Sequence, residues 1–501
     1  MGGFFGVVSK QKCVDDLFYG TDYHSHLGTA RGGMAVLSGE KEFQRVIHDI
    51  TNTQFRAKFE ADYNRFRKDE RSCAGVGVIS DTNDQPLIIT SHLGTYAIVT
   101  VGLLTNKVQL VQELFSSSRV SHFSEMSRSG INTTEVVASL LNAQETFEQG
   151  VRYAQLKISG SCSVLILTRE GVLYAIRDRY GRTPVILGKK DGSVAVAMET
   201  SSFPNLGYQT VRDLGPGEMV KCTPEGMVTL IKPGKELAIC SFLWVYFGYP
   251  ASAYEGRNVE VARYGCGAAL ARRNPIAADS VGGVPDSGVG HALGYAAVAG
   301  LQYTRPFVKY TPTWSRSFTP QKQVDRDVTA QKKLIPVPEL ISGKRLVFCD
   351  DSIVRGTQLK GQVKRLFECG AKEIHMRIAC PPLLYQCRFL NFSRARNEMD
   401  LITRQNIRKM DGEKADVAPY LDVSGEAYQR MVNMIRDGFG LSTLAFQRVE
   451  DLAAAIGVPY DKLCTYCFTG MDVAKPQGCT HGCAHCASPC SARRLDTPGE
   501  G

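Results

Sequence analysis

Residues 345–358 read RLVFCDDSIVRGTQ, and this segment sets the architecture of the second half of the chain. The apolar run Arg345–Cys349 predicts a buried strand that ends in two adjacent acids. The periodic segment Gln358–Cys369 predicts an amphipathic helix stopped by a glycine, and Lys372–Ile378 predicts the next strand. A strand, a helix and a strand in this order form a βαβ unit, which implies a parallel sheet.

The turn between that strand and helix has the residues of an anion-binding loop. Gly356 lets the backbone close around an anion, and amide groups at the helix start point at a phosphate that the helix dipole attracts. The carboxylates of Asp350 and Asp351 suit the vicinal hydroxyls of a ribose, directly or through Mg²⁺. A plain acidic cap would explain one acid and a glycine, but not two acids followed by Ser352, Gly356 and Thr357. The sequence therefore predicts a phosphate and sugar site at the carboxyl end of a parallel strand.

Residues 1–235 carry a different pattern, in which short apolar or β-branched runs alternate with turn residues. Such runs predict strands, and two of them flank Arg169-Glu170-Gly171, which predicts a hairpin. Two longer segments, Glu40–Lys68 and Thr134–Glu148, have helical spacing. The predicted strands are Phe4–Ser9, Gly75–Ile79, Leu87–Ile89, Ala97–Leu103, Ser163–Thr168 and Val172–Asp178.

Composition excludes several classes of protein. The 501 residues are 43% hydrophobic and 22% charged, which is typical of a globular chain. The net charge of +9 is not concentrated in Lys/Arg blocks, so we expect no nucleic-acid partner. No apolar run reaches about 18 residues and no secretory signal opens the chain, so we expect a cytoplasmic protein without a membrane span. Sixteen cysteines in a reducing compartment are then metal ligands or buried thiols rather than disulfides.

The 345–358 segment resembles the 5-phosphoribosyl 1-diphosphate (PRPP) signature of type I phosphoribosyltransferases. Its wider context resembles the amidophosphoribosyltransferases of de novo purine synthesis. Gly283–Gly288 (GVPDSG) is similar to that family's second active-site segment. Phe307–Phe318 and Pro320–Arg326 are similar to its mobile closing loop, although Thr313-Trp314-Ser315 replaces a Tyr-Ile-Gly-like stretch. Arg177–Pro184 and Leu214–Val220 match the end of its first domain.

The resemblance implies a fold of two domains and a tail. Residues 1–235 would form an N-terminal-nucleophile (class II glutamine amidotransferase-like) αββα sandwich. Residues 236–470 would form a type I phosphoribosyltransferase domain with a parallel sheet, and 471–501 a Cys-rich tail. The chain as a whole would combine α/β and α+β architecture, and we expect a homo-oligomer, a dimer or a tetramer.

The resemblance also assigns roles around PRPP. Mg²⁺ and the sugar would be held by Ser287, Asp350 and Asp351, with Asp286 beside them. Basic side chains would meet the departing diphosphate, because bond breaking at C1 of the ribose creates an anionic leaving group. The 5′-phosphate would be held by Ser352, Ile353, Val354, Arg355, Gly356 and Thr357, and the basic residues would be Lys309, Arg316 and Arg326.

The glutaminase site of the family is degenerate in this chain. Family members begin Met-Cys-Gly-Ile-Phe-Gly, and the cysteine becomes a nucleophile activated by its own α-amine. Gly2 stands in that position here and has no side chain that could attack a carbonyl. Val101 replaces the oxyanion-hole asparagine, and Thr133 falls where an aspartate would hold the glutamine amine. The family motif whose arginine binds the glutamine carboxylate is reduced in this chain to about Gly77-Val78-Ile79-Ser80. We therefore expect no glutamine hydrolysis.

Four cysteines match the ligands of cluster-bearing family members: Cys240, Cys387 and the pair Cys464 and Cys467. Two close ligands and two distant ones suit a [4Fe–4S] cluster that pins separate segments together. A Zn²⁺ site would use the same spacing. The two metals therefore stay as alternatives, with the cluster favoured.

The tail adds four more cysteines with two interleaved histidines, His481 and His485. This spacing is dense enough for a second cluster or a Zn²⁺ site, and the ordinary family pattern lacks it. A disordered, reactive tail is the alternative. The cysteines are Cys479, Cys483, Cys486 and Cys490.

Three functions fit these observations. The first is an enzyme that makes 5-phosphoribosylamine from PRPP with ammonia, taken from solution or from a partner glutaminase. The second is a non-catalytic paralogue that binds PRPP or nucleotides and regulates an active enzyme. The third is a phosphoribosyltransferase with a different acceptor. Purine nucleotides are the effectors that the resemblance implies.

Overall fold

The computed structural model describes residues 2–117, 119–127, 130–310, 334–390 and 397–473. Two residues expected to meet the diphosphate, Arg316 and Arg326, lie outside the described residues. The four tail cysteines, Cys479, Cys483, Cys486 and Cys490, lie outside them as well.

The N-terminal half is a sandwich of two antiparallel sheets. The strands of each sheet follow one another in space in the order given. The seven-stranded sheet comprises Gln209–Asp213, Ile186–Lys190, Ser193–Ala197, Gly2–Ser9, Ala74–Ser80, Arg31–Leu37 and Phe43–Asp49. The six-stranded sheet comprises Gly226–Ile231, Met219–Thr223, Leu173–Ile176, Gly160–Thr168, Gly94–Leu104 and Leu87–Ser91.

Helices cover the outer face of each sheet. Fully buried side chains from both sheets, such as Phe4, Val76, Val99 and Leu165, meet in the inner layer. A second apolar layer lies between the seven-stranded sheet and its helices, and a third between the six-stranded sheet and its helices. The αββα sandwich is therefore confirmed. Its helices are Val14–Asp22, Phe55–Phe66, Lys107–Ser116, Thr133–Leu141 and Phe147–Lys157.

Two helix predictions were wrong in extent. Within Glu40–Lys68 the structure has the strand Phe43–Asp49 before its helix, because this segment pairs along its whole length with Arg31–Leu37. Thr134–Glu148 covers nearly all of the helix Thr133–Leu141, the connection after it, and only the start of the helix Phe147–Lys157. Thr146 begins the second helix, since its side chain accepts a hydrogen bond from the amide of Gln149 at 3.2 Å.

The second half is built on a four-stranded parallel sheet. Its helix Thr357–Glu368 lies where the βαβ pattern predicted it, and Gly370 adopts a left-handed φ of 87° just beyond its end. The strands in spatial order are Ser280–Gly283, Arg345–Asp350, Glu373–Ile378 and Thr443–Phe446. The other helices are Val259–Arg273, Val289–Ala299, Pro338–Ile341, Ile402–Asp411, Glu426–Phe439, Val449–Ile456 and Tyr466–Thr469.

Short elements connect the two halves. Ile239–Cys240 pairs in parallel with Leu463–Cys464, and the π-helix Leu243–Phe247 follows at once. Phe307–Lys309 pairs with Leu334–Pro336 beside the parallel sheet. The domain boundaries at 235 and 470 stay predictions. None of the helices in the described ranges combines the length and apolarity needed to cross a bilayer.

Candidate functional site

The phosphate loop, Asp350–Thr357, runs from the end of a central parallel strand to the start of a helix. Gly356 has a φ of 75°, which side-chain-bearing residues rarely adopt. A Cβ there would lie 2.4 Å from Cζ of Phe439, so the ring occupies the space of any side chain. The glycine therefore allows the loop to turn tightly against the helix Glu426–Phe439.

The two acids of the loop form one carboxylate pair. The amide of Asp351 donates to Oδ1 of Asp350 at 2.9 Å, and Oγ of Ser352 donates to Oδ2 of Asp351 at 2.6 Å. Burial, followed by the neighbouring Asp351, raises the pKa of Asp350 well above its usual range. Arg263 is buried nearby; burial lowers its pKa while the charge of Asp351 opposes this effect. A crowded pair of hard oxygen donors is chemically suited to Mg²⁺.

The opposite wall of the site comes from the segment after Ser280–Gly283. Lys309 forms an ion pair with Asp286, and the neighbouring Ser287 lines the same cavity. On the loop side, the guanidinium of Arg355 contacts Asp400 at 3.0 Å. The structure thus brings the described members of the predicted PRPP site around one opening: Asp286, Ser287, Lys309, Asp350, Asp351, Ser352, Ile353, Val354, Arg355, Gly356 and Thr357.

A single cavity of about 670 Å³ connects this site to the N-terminal sandwich. Its lining includes aromatic residues, among them Phe242, Tyr246 and Phe247. The N-terminal sandwich contributes His26, Leu27, Gly28 and Asp81 to the lining. The phosphate loop and the amidotransferase half therefore share one internal space.

Gly2 lies in a strand of the seven-stranded sheet, where there is no space for a side chain. It pairs with Ser80 on the neighbouring strand, and a Cβ at Gly2 would stand 2.3 Å from the carbonyl oxygen of Ile79. The backbone is therefore packed for a glycine at this position. Cys13 is the first cysteine of the chain. It is buried, and burial raises the pKa of its thiol well above the usual range. Neither residue offers a reactive thiolate.

Two other positions that the resemblance assigns to the glutaminase site, Val101 and Thr133, have structural contacts. Val101 is 3% exposed and packs among the apolar side chains between the two sheets. Thr133 is the first residue of Thr133–Leu141, and its amide donates to Oδ1 of Asn83 at 3.3 Å. Neither side chain has the amide or carboxylate that the resemblance assigns to these positions.

Three separate segments bring the four predicted cysteine ligands to one region. Cys240 and Cys464 are register partners in the short parallel pair, and the carbonyl of Cys467 accepts from the amides of Leu384 and Tyr385, both at 3.0 Å. Cys387 follows these two residues, and the charges of all four thiols influence one another. All four line the cavity.

The donor set fits a [4Fe–4S] cluster or Zn²⁺ in chemistry. As placed, however, no group of three or more His, Cys, Asp or Glu among the described residues has the arrangement of a metal site.

Arg182 joins this cysteine group to the N-terminal sandwich. Its guanidinium donates to Sγ of Cys464 at 3.1 Å and to Asp472 at 2.7 Å, and lies 3.4 Å from the ring centroid of Phe389. Its carbonyl accepts from the amide of Cys240 at 3.2 Å. One residue thus holds two of the strands that carry the thiols.

Two buried charged residues, one lining the cavity and one in contact with the lining residue His26, have no sequence signal. Arg263 lies within the helix Val259–Arg273, and Glu199 follows a strand of the sandwich, where each could be a surface charge. Both residues are buried only because segments distant in sequence pack against them. Neither was therefore predicted from the sequence.

The fold and the site define a protein that joins an N-terminal-nucleophile amidotransferase sandwich to a type I phosphoribosyltransferase sheet. Residues 71–205 match the family model described as a glutamine amidotransferase domain. The chain is 30% identical over 484 residues to the amidophosphoribosyltransferase of Bacillus subtilis, covering 93% of each chain. It is 28% identical over 482 residues to that of Methanothermobacter thermautotrophicus, again covering 93% of each.

A solved structure agrees with these relatives. Glutamine PRPP amidotransferase from B. subtilis, complexed with ADP and GMP, superposes with a TM-score of 0.78 at 28% identity, over 94% of this chain and 96% of that one. The chain belongs to the amidophosphoribosyltransferase family, whose reaction is part of purine biosynthesis.

Proposed function

We propose that this chain transfers the phosphoribosyl group of PRPP to ammonia, forming 5-phosphoribosylamine, and does not hydrolyse glutamine. One observation carries the proposal. The phosphate loop keeps its two acids, its hydroxyls and a required glycine, whereas Gly2 has neither a nucleophile nor room for one. Ammonia would therefore come from solution or from a partner glutaminase.

The phosphoribosyl half would work by positioning and electrostatics. The amides of Ser352–Thr357 and the helix start would bind the 5′-phosphate. Asp350, Asp351 and Ser287 would hold Mg²⁺, which would neutralise charge on the diphosphate. Lys309, together with Arg316 and Arg326, would stabilise the leaving group, because negative charge grows there as the C1–oxygen bond breaks. Lys309 would exchange its pairing with Asp286 for the diphosphate.

The cysteine group would have a supporting role in this scheme. A [4Fe–4S] cluster, or Zn²⁺ in its place, would be held by Cys240, Cys387, Cys464 and Cys467 and would cross-link their segments. A second cluster or Zn²⁺ would bind Cys479, Cys483, Cys486 and Cys490. We further propose a cytoplasmic homo-oligomer whose activity responds to purine nucleotides.

Diphosphate release tests the proposal. The purified chain is incubated with PRPP and Mg²⁺, and either ammonium or glutamine is added as the nitrogen source. We expect diphosphate release with ammonium only, and no glutamate release from glutamine. Glutamate release at an enzymatic rate would contradict the proposed loss of glutaminase.

The two alternatives predict other outcomes of the same assay. PRPP binding without turnover would identify a regulatory paralogue. Turnover with another amine or with a base, but not with ammonium, would identify a phosphoribosyltransferase with a different acceptor. The Asp351→Asn variant serves as the control, because it removes one of the two proposed Mg²⁺ carboxylates.

A further inference from the structure

A histidine that lines the cavity contacts a buried carboxylate of the sandwich. Nε2 of His26 lies 2.8 Å from Oε2 of Glu199, and the His26 ring centroid is 5.5 Å from that of Tyr249. His26 lines the cavity and keeps 15% of its side chain exposed, whereas Glu199 keeps 1%. His26 is therefore a titratable group with a buried anion behind it and the cavity in front of it.

The structure holds Glu199 as an anion. Burial by itself would raise the pKa of Glu199, but His26, His24 and the hydroxyl of Tyr254 together hold it below its usual range. The Tyr254 hydroxyl donates to Oε1 at 2.6 Å, and the amide of Tyr249 donates to the same atom at 3.2 Å. A carboxylate fixed in this way gives the neighbouring imidazole a stationary anionic partner.

His24, two residues away, provides a contrast. It is fully buried, and both of its ring nitrogens have backbone partners, the Gly20 carbonyl at 2.7 Å and the Met198 amide at 3.2 Å. Burial lowers the pKa of His24 to about 4, so this histidine is neutral and structural. Neither ring nitrogen of His26, in contrast, makes a hydrogen bond in the part of the chain that the structure describes; Nε2 only approaches Oε2 of Glu199, at 2.8 Å.

The part of the cavity at His26 lies beside the position of the missing nucleophile. A Cβ on Gly28 would meet Ile79 and Ser80, the same two residues that a Cβ on Gly2 would meet. The aromatic residues Phe242, Tyr246 and Phe247 line the same cavity. Neutral ammonia can enter such a space, whereas an unpaired ammonium ion would lose its hydration at a large cost.

We propose that His26, in contact with Glu199, removes a proton from ammonium in the cavity and so supplies ammonia to the phosphoribosyl site. The inference rests on the proposed ammonia-dependent function. One N–H bond of ammonium breaks, its electron pair stays on nitrogen, and the proton forms a bond to Nδ1 of His26. Nε2 keeps its contact with Glu199, and the imidazolium later returns its proton to water. His26 thus acts on the substrate amine before the amine reaches C1 of PRPP.

The ionisable neighbours of His26 come from several elements. Glu199 and His24 interact with it electrostatically, Tyr249 packs against its ring, and Asp81 lines the same cavity. The negative charges of Glu199 and Asp81 favour a cation beside them, which suits ammonium.

The test compares His26→Gln with His48→Gln. His48 also contacts a carboxylate, Oδ2 of Asp62 at 2.7 Å, but does not line the cavity. With PRPP saturating, kcat/KM for total ammonium is measured from about pH 6 to about pH 9. We expect His26→Gln to lose about 100-fold near pH 6 and to follow the fraction of free ammonia, as loss of a general base predicts. The wild type and His48→Gln should decline less steeply as the pH falls.

A second amine separates proton removal from a structural role. Hydroxylamine is largely neutral near pH 7 and needs no proton acceptor before attack, so His26→Gln should match the wild type with it. The KM for PRPP should stay within about twofold of the wild-type value, because the phosphate loop is unchanged. Equal losses with both amines, or no loss at any pH, would overturn the role of His26. Absence of turnover by the wild type with either amine would overturn the proposed function itself.

Discussion

Replacing Gly2 with cysteine should not restore glutaminase activity. The variant supplies the family's nucleophile, and removal of Met1 would expose its α-amine. However, its Cβ would stand 2.3 Å from the Ile79 carbonyl oxygen, in contact with a backbone atom that cannot rotate away. The contact is about 1 Å too short, so the two paired strands must separate locally, at a cost of about 1–3 kcal/mol.

A correctly placed thiol would still lack a partner. Val101 supplies no side-chain donor to a tetrahedral intermediate, and loss of one such donor costs about 2.7–4 kcal/mol, or about 100- to 1,000-fold in rate. The strained contact of Gly2→Cys lowers the stability of the fold, whereas the missing donor at Val101 lowers the rate of catalysis. We therefore expect Gly2→Cys to melt at a lower temperature and to release no glutamate above background.

The assay is coupled detection of glutamate, with thermal melting measured on the same samples. Gly226→Cys is the matched control, because a Cβ at Gly226 meets no atom within 4 Å. That variant should melt like the wild type. Enzymatic glutamate release by Gly2→Cys alone, or melting equal to that of Gly226→Cys, would refute the reasoning from the closed strand position and the missing donor.

Four further predictions follow from the site and its surroundings. Gly356→Ala should weaken PRPP binding and destabilise the fold by about 2–5 kcal/mol, since a left-handed φ and the Phe439 ring both oppose a Cβ; isothermal titration and chemical denaturation measure the two effects, and unchanged binding would contradict the structural role of the glycine. Asp351→Asn should abolish Mg²⁺-dependent diphosphate release while the chain stays folded, and full activity at ordinary Mg²⁺ concentrations would exclude Asp351 as a ligand. Arg182→Lys should lower metal affinity about 10- to 100-fold, because lysine cannot reproduce the forked contact with Cys464 and Asp472; iron and zinc per chain after dialysis give the answer, and wild-type retention would refute it. His24 has its pKa lowered from 6.5 to about 4, so the unfolded chain binds the proton more tightly and the stability it contributes is present above about pH 6.5 and lost as the pH falls through 4; urea denaturation between these pH values should show a smaller decline for His24→Asn than for the wild type.

Local sequence signals were sufficient for the βαβ unit. The strand Arg345–Asp350, the turn and the helix Thr357–Glu368 are adjacent in the chain, and each has its own period or stop signal. The phosphate loop could therefore be placed before any tertiary information was available. Its resemblance to a known signature pointed to the same residues.

Long-range pairing explains what the sequence could not indicate. Phe43–Asp49 has helical charge spacing but becomes an edge strand, because the backbone of Arg31–Leu37 offers it hydrogen bonds. The contact between His26 and Glu199 joins residues from two distant segments of the sandwich, and neither belongs to a motif. The closure of the sheet around Gly2 likewise depends on Ile79. Such features arise from packing between segments that are distant in the chain. A short stretch of sequence therefore cannot reveal them.

The short parallel pair of Ile239–Cys240 with Leu463–Cys464 has a consequence for the order of folding. The N-terminal sandwich needs only the residues up to Ile231 to complete its two sheets, so it can form while the rest of the chain is being synthesised. The junction, meaning this parallel pair and the residues packed around it, cannot close until Cys464 has been synthesised. The hydroxyl of Ser241 then donates to the carbonyl of Cys464, which is 223 positions away in sequence. Closure of the junction is therefore one of the latest events in assembly. Incomplete chains would leave the cysteines and aromatic rings of the junction exposed, which would mark them for recognition by chaperones and proteases.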